Sequence, residues 1–221
     1  MKFSHETFPF ACHLTGRCCV QNVIALSPFD IFRLAVHLNK SASQLFQEKI
    51  LTYTINKADY WMEPIINTGL EMTCPFLLPK SMEEHVCEIY ESRPLVCRLY
   101  PLKYNPEEDY YFRRLDAENR CSECFSLENE NYSLKEFVEK SGLPELTEEY
   151  KLYREFLFDL VRSGFNIIDI KHKKPKQKLF FAIQAQLYET FPKEKNELTE
   201  YPWQENKKHI ESMIEEFQNS N

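Results

Sequence analysis

Apolar positions recur at helical spacing through the last third of the chain and break into short runs in the first part. Ser27-Pro28-Phe29-Asp30 reads as a helix start: serine caps, proline fits the first helical position, and Asp30 completes an S-x-x-D box. Phe29, Phe32, Ala35 and Val36 give that helix, over about residues 28–38, its buried stripe. A second helix starts at Ser41, with Gln44 at the box position and Leu45, Phe46 and Ile50 as its apolar face. Met72-Thr73-Cys74-Pro75-Phe76-Leu77 reads as an extended segment leading into a turn. Val86–Tyr90 and Tyr110–Phe112 have strand composition and predict one small sheet formed by the pair. Ser133 caps a helix running to Ser141, with Glu136 at its box position and Gly142 beyond its end. Leu146, Tyr150, Tyr153, Leu157, Leu160 and Val161 then mark a longer helix that stops at Gly164. Leu179, Phe180, Ile183 and Leu187 mark another, and Trp203, Ile210, Ile214 and Phe217 the last.

The pattern predicts a mainly α protein with a small β element. An irregular cysteine-rich half, residues 1–128, is expected to pack on an α-helical half, residues 129–221. No internal repeat is visible. The 221 residues are 43% hydrophobic and 14% aromatic, ample for a core. With 27 Lys and Arg against 34 Asp and Glu, the net charge is −7, which argues against general nucleic-acid binding. The basic run Lys171–Lys178 reads as a solvated linker, with a local anion patch as the alternative. No stretch approaches the roughly 18 uncharged apolar residues of a membrane span. The opening MKFSHETFPFACH lacks the apolar segment of a secretory signal, so a cytoplasmic protein is expected.

Two residue types change this picture. The four glycines, Gly16, Gly69, Gly142 and Gly164, are isolated, so neither a dinucleotide nor a nucleotide phosphate loop can be written from them. The glycine-rich turn of common methyltransferases is missing for the same reason. The eight cysteines, at 12, 18, 19, 74, 87, 97, 121 and 124, all lie in the first 124 residues. A long chain with a real core and no export signal does not need a disulfide scaffold, so metal binding leads. Disulfides in an exported form, or inert buried thiols, are the alternatives.

Three segments carry the candidate chemistry. In Cys12-His-Leu-Thr-Gly16-Arg-Cys18-Cys19, thiolates a few residues apart can converge on an ion, with glycine allowing the turn between them. Cys18 and Cys19 leave the backbone in different directions, so they can serve two neighbouring sites or divide ligation and packing between them. Cys74-Pro-Phe-Leu is followed by Cys87-Glu-Ile-Tyr-Glu-Ser-Arg93-Pro94-Leu-Val-Cys97-Arg98-Leu-Tyr100-Pro101. There Arg93 and Arg98 stand beside thiolates whose negative charge calls for guanidinium groups. Cys121-Ser-Glu-Cys124 suits a zinc knuckle, one edge of an iron–sulfur site, or a redox pair. His13, His37 and His85 are weaker candidates, with His13 placed to be a fourth ligand beside Cys12.

Together these segments resemble the YkgJ-type cysteine-cluster family, a zinc- or iron-chelating domain to which flagellin lysine N-methylases also belong. Its pattern is C-x-x-C-G-x-C-C, then C-x-F-L, then C-x-I-Y-x-x-R-P-x-x-C-R-x-Y-P, then a further cysteine. Cys12, Gly16, Cys18 and Cys19 match the first part, and Cys74, Phe76 and Leu77 the second. Cys87, Ile89, Tyr90, Arg93, Pro94, Cys97, Arg98, Tyr100 and Pro101 match the third. Leu26–Ala35 is similar to the helix that follows the double cysteine. The resemblance spans about residues 8–125 and departs at Thr15, where the family carries a cysteine. A hydroxyl is a poor ligand for zinc or iron, so Cys121 or Cys124 supplies the missing thiolate or one site has been lost.

The resemblance implies metal chelation. The centre is expected to be zinc or iron–sulfur, built mainly from Cys12, Cys18, Cys19, Cys87 and Cys97, with Cys74, Cys121 and Cys124 close behind. Spacing does not separate these metals, and neither a radical-type C-x-x-x-C-x-x-C nor a ferredoxin pattern is present. The centre is structural or redox-active. One alternative is an S-adenosylmethionine-dependent protein-lysine N-methyltransferase acting on a protein substrate. Another is a metal-stabilised module whose acidic helical half docks a partner protein.

Overall fold

The computed structural model describes residues 2–3, 7–13, 15–81, 84–125, 132–171, 173–188 and 201–220. In chain order these form β1 (Lys2–Phe3), β2 (Thr7–Phe8), α1 (Pro28–Leu38), α2 (Ala42–Gln47), β3 (Leu51–Ile55) and β4 (Met62–Ile66). Then come β5 (Leu77–Pro79), β6 (His85–Cys87), α3 (Leu95–Leu99), β7 (Leu102–Asn105), β8 (Tyr110–Arg113), α4 (Ala117–Arg120) and β9 (Tyr132–Ser133). The chain ends in α5 (Leu134–Lys140), α6 (Leu143–Arg162), α7 (Ile167–Ile170), α8 (Lys174–Tyr188) and α9 (Trp203–Asn219). Short 3-10 turns occupy Arg17–Cys19, Tyr90–Ser92 and Ser122–Cys124. The class is the expected one: mainly helical, with small sheets and an irregular cysteine-rich part.

The described residues form two compact units that interleave along the chain. The first comprises residues 1–25 and 66–152, the second residues 26–65 and 153–221. The boundary expected at 128/129 lies outside the described residues.

In the first unit, β1, β8 and β7 form one sheet in that order, β2 pairs with β9, and β5 pairs antiparallel with β6. The expected pairing of Val86–Tyr90 with Tyr110–Phe112 does not form. Each strand pairs with its sequence neighbour instead: β6 with β5, and β8 with β7. Short turns make these hairpins, Lys80 N–H reaching Glu84 O at 2.9 Å in one and Asp109 taking a left-handed φ of 50° in the other. Local closure brings such neighbours together at little entropic cost. The strand character at Val86 ends at Cys87, and Tyr90 already belongs to a 3-10 turn. The core gathers Phe10, Leu95, Leu99, Leu102, Tyr111, Leu134, Val138 and Leu143 around the buried Cys121 and Cys124. Tyr111, fully buried, bonds Thr147 Oγ1 at 2.6 Å, and that hydroxyl donates onward to Leu143 O at 2.9 Å. Every polar atom of that buried pair is therefore satisfied.

The second unit shows why its helices start where the sequence indicates. Ser27 Oγ accepts from Asp30 N–H at 3.1 Å while Asp30 Oδ2 accepts from Ser27 N–H at 2.9 Å, a complete capping box. Ser41 with Gln44 repeats it for α2, as Ser133 with Glu136 does for α5 in the first unit. Helix α1 is buried nearly all round, with Ile31 and Leu34 fully covered, whereas Val36, expected in the stripe, is 45% exposed. Ile50 falls beyond α2, its N–H bonding back to Leu45 O at 2.9 Å. Phe29 meets Tyr201 at 5.0 Å and Trp203 at 5.4 Å between ring centroids, and Phe156 meets Trp203 at 5.5 Å. The basic run is not a linker. From Lys174 it forms the first turns of α8, and Lys176 Nζ donates to Ser163 O at 3.2 Å beside Gly164. His172 of that run lies outside the described residues. No helix among the described residues is long and apolar enough to cross a membrane.

Candidate metal centre

The double-cysteine turn is shaped by Gly16. Its φ of +71° is left-handed, and a Cβ there would lie 2.9 Å from Leu77 Cδ1 and 3.2 Å from His85 Cβ. Only glycine meets both demands without strain. Gly16→Ala is therefore expected to cost about 1–2 kcal/mol, read as a lowered midpoint of urea unfolding. After Gly16, the Arg17–Cys19 turn closes through Cys19 N–H to Gly16 O at 2.9 Å. Asn22 Nδ2 then donates to Cys18 O at 2.7 Å.

The second cysteine segment is stitched to the first by the main chain. Val20 forms an antiparallel bridge with Thr73, Gln21 N–H reaches Met72 O at 2.7 Å, and Cys74 N–H reaches Cys19 O at 2.8 Å. Pairing of β5 with β6 sets Leu77 opposite Cys87. Cys97 sits on α3, which starts after Pro94, with Cys97 N–H bonded to Pro94 O at 2.9 Å. The peptide between Tyr100 and Pro101 is cis.

These local arrangements bring Cys12, Cys18, Cys19, Cys74, Cys87 and Cys97 onto one cavity of about 90 Å³, whose lining belongs wholly to the first unit. All six lie outside any disulfide; Cys74 is buried, Cys12 exposed, and the others half-buried. Cys18 and Cys19 stand 3.8 Å apart, sulfur to sulfur. The hydrogen bond from Cys19, reinforced by the Arg93 guanidinium, pulls the Cys18 thiol down to about 7. The same Cys19 lowers Cys74, while Cys19 itself, set between the two, holds its proton well above the ordinary thiol range. Burial pushes Cys87 up. Thiolate character thus concentrates on Cys18 and Cys74, the state in which sulfur binds metal.

Of the two arginines expected beside the thiolates, Arg93 lines the cavity, stacked 3.7 Å over the Tyr90 ring. Arg98 instead braces the approach, donating to Arg93 O at 3.0 Å and to Glu91 O. Arg114 is a cavity residue that the motifs do not reveal. It grips Asp116 with two bonds of 3.0 and 2.9 Å, and Asp116 also accepts from Arg120 Nε at 2.7 Å. Those two guanidiniums hold the Asp116 carboxyl well below its usual range. Arg120 then reaches Val20 O at 3.2 Å and Gln21 O at 3.4 Å, clamping the carbonyls that follow the double cysteine. Its signal in the sequence is only an R-x-D-x-x-x-R spacing, which is not specific to such a clamp.

Cys121 and Cys124 do not join the cavity. They are linked to each other in a disulfide, 2% and 3% exposed in the core. Thr15 Oγ1 lies 3.4 Å from Cys121 Sγ, and Ala11 N–H bonds Cys124 O at 3.0 Å, so this pair fastens the segment carrying Cys12. His13 is exposed beside Cys12, and His37 is exposed on α1 in the other unit. His85 lines the cavity. Among the described residues no three His, Cys, Asp or Glu side chains stand close enough together to hold a metal ion as they are placed.

Soft sulfur donors gathered on one cavity, with a guanidinium among them, define a cysteine-cluster domain. The chain belongs to the CxxCxxCC family, described as "Putative zinc- or iron-chelating domain", whose model matches residues 11–140, more than half of the chain. No curated protein and no solved structure matches it.

Proposed function

We propose that this protein binds zinc or iron through the thiols of that cavity, with Cys18, Cys19 and Cys74 as the nucleus of the site and Cys87 and Cys97 closing it. The observation that carries the reading is the convergence of six cysteines, from four separate segments, on one cavity with Arg93 beside them. Their chemistry fits a thiophilic ion: sulfur donors, thiol pKa values lowered at Cys18 and Cys74, and a cation to offset thiolate charge. A bound ion would add a cross-link between these segments, and in the iron form would also supply electron-transfer chemistry. Cys121 and Cys124 offer no thiolate while bridged and contribute only when reduced. The methyltransferase alternative rests on family resemblance alone, and no geometry of the cavity adds to it.

Anaerobic purification followed by metal analysis and an absorption spectrum tests the proposal. Stoichiometric zinc in a colourless protein, or iron with sulfide-to-iron absorption, is expected; a protein devoid of both after growth in metal-replete medium refutes it. The Arg120 clamp gives a finer check. Arg120→Met is expected to speed release of the bound metal to a chelator by about 10–100-fold, with little change in the melting temperature of the metal-free protein. Equal release rates would mean that the clamp does not position the double-cysteine turn.

A further inference from the structure

We propose that His85 is a ligand of this centre, binding through its buried ring nitrogen, so that the donor set is mixed thiolate and imidazole. The proposal rests on the metal reading above and names a residue that the cysteine motifs leave out. Three observations support it.

His85 precedes Cys87 by two positions on β6, so both side chains leave the same face of the strand. The register that sets Pro79 opposite His85 and Leu77 opposite Cys87 fixes that face, and both residues line the cavity. His85 Nδ1 is buried, and no described residue hydrogen-bonds it. A buried ring nitrogen with no partner is costly unless something supplies one. Beside six thiols, which are weak hydrogen-bond donors, a soft metal ion is the partner that the chemistry offers.

Gly16 brings the first cysteine loop against this imidazole. The position of a Cβ on Gly16 would lie 3.2 Å from both Cβ and Cγ of His85. The adjacent Thr15 stands where the family pattern has a cysteine, and its hydroxyl lies 3.4 Å from Cys121 Sγ. Residue 15 thus brings no soft donor, whereas the ring packed on residue 16 brings one of the right type.

The test is titration of the metal-free full-length protein with cobalt(II), whose sulfur-to-metal charge-transfer band counts thiolate ligands. In His85→Ala the dissociation constant for cobalt is expected to rise by at least about 100-fold. In His85→Cys tight binding is expected to return, with charge-transfer intensity raised by the contribution of one added thiolate. A His85→Ala protein with unchanged affinity and spectrum overturns the proposal. If that variant does not fold, a His85→Cys protein with wild-type charge-transfer intensity overturns it equally. A wild-type protein that takes up no cobalt, zinc or iron overturns both this proposal and the metal reading, whereas metal binding that is indifferent to residue 85 overturns this one alone.

Discussion

Cys74→Ser is expected to lower the metal content of the purified protein from stoichiometric to below about a tenth, while the metal-free fold survives. Cys74 is 6% exposed and forms the buried end of the thiol chain, sharing a hydrogen bond with Cys19, which in turn lies 3.8 Å from Cys18. Its backbone is held independently of its side chain: its N–H bonds Cys19 O, and its carbonyl accepts from Leu77 N–H at 3.1 Å. The substitution therefore removes a soft donor without moving the chain. A serine hydroxyl is a poor ligand for zinc or iron, and its burial costs about 1–3 kcal/mol where it finds no partner. A structural thiolate-bound zinc contributes apparent binding energies of about 10–16 kcal/mol in small zinc domains, so loss of metal dominates loss of packing. The measurement pairs metal-to-protein ratio with melting temperature in the presence and absence of a chelator. Wild type should lose stability when chelated, and Cys74→Ser should already sit at the chelated value. A serine variant that keeps stoichiometric metal would exclude Cys74 from the ligand set.

What the sequence makes legible is what is encoded within a few residues. Ser27 with Asp30, Ser41 with Gln44 and Ser133 with Glu136 mark three helix starts, because a capping box is closed by a side chain three positions from its own backbone partner. The cysteine motifs are legible for the same reason, since each is a local cluster. Pairing across the chain is not. Nothing in residues 26–65 announces that they share a compact unit with residues 153–221, because a buried stripe states that a partner exists and not which one. Val36 falls outside the core for a related reason: the apolar face of α1 is set by what surrounds it, and Ile31 and Leu34 take the buried positions. The Asp116 network and His85 show the same limit at the site. Arg120 acts through carbonyls about a hundred positions away, and His85, a weaker candidate in the sequence, stands out only through the orphaned state of one buried nitrogen.

Trp61→Ala is expected to destabilise the second unit by about 3–5 kcal/mol. Trp61 is fully buried in β3–β4's neighbourhood, one residue before β4, where its ring meets Phe180 of α8 edge-on at 5.2 Å. Its indole N–H donates to Tyr188 OH at 3.3 Å, and Tyr188 OH lies 3.1 Å from Tyr153 OH. Burial holds the Tyr188 phenol above its ordinary range, and the bonds from Trp61 and Tyr153 oppose that shift, so the three polar atoms settle one another inside an apolar core. Truncation to alanine removes the ring contacts and one of these bonds together. Trp61→Phe separates the two contributions: the ring mostly stays, only the N–H bond is lost, and a cost of about 1 kcal/mol is expected. Urea unfolding followed by far-ultraviolet circular dichroism reads both values. Metal content supplies the second readout, because Trp61 does not line the thiol cavity and every residue that does belongs to the first unit. A Trp61→Ala protein that loses less than about 1 kcal/mol would mean that the site can collapse around the gap. One that keeps its fold but loses its metal would mean that the thiol centre depends on the second unit for its stability.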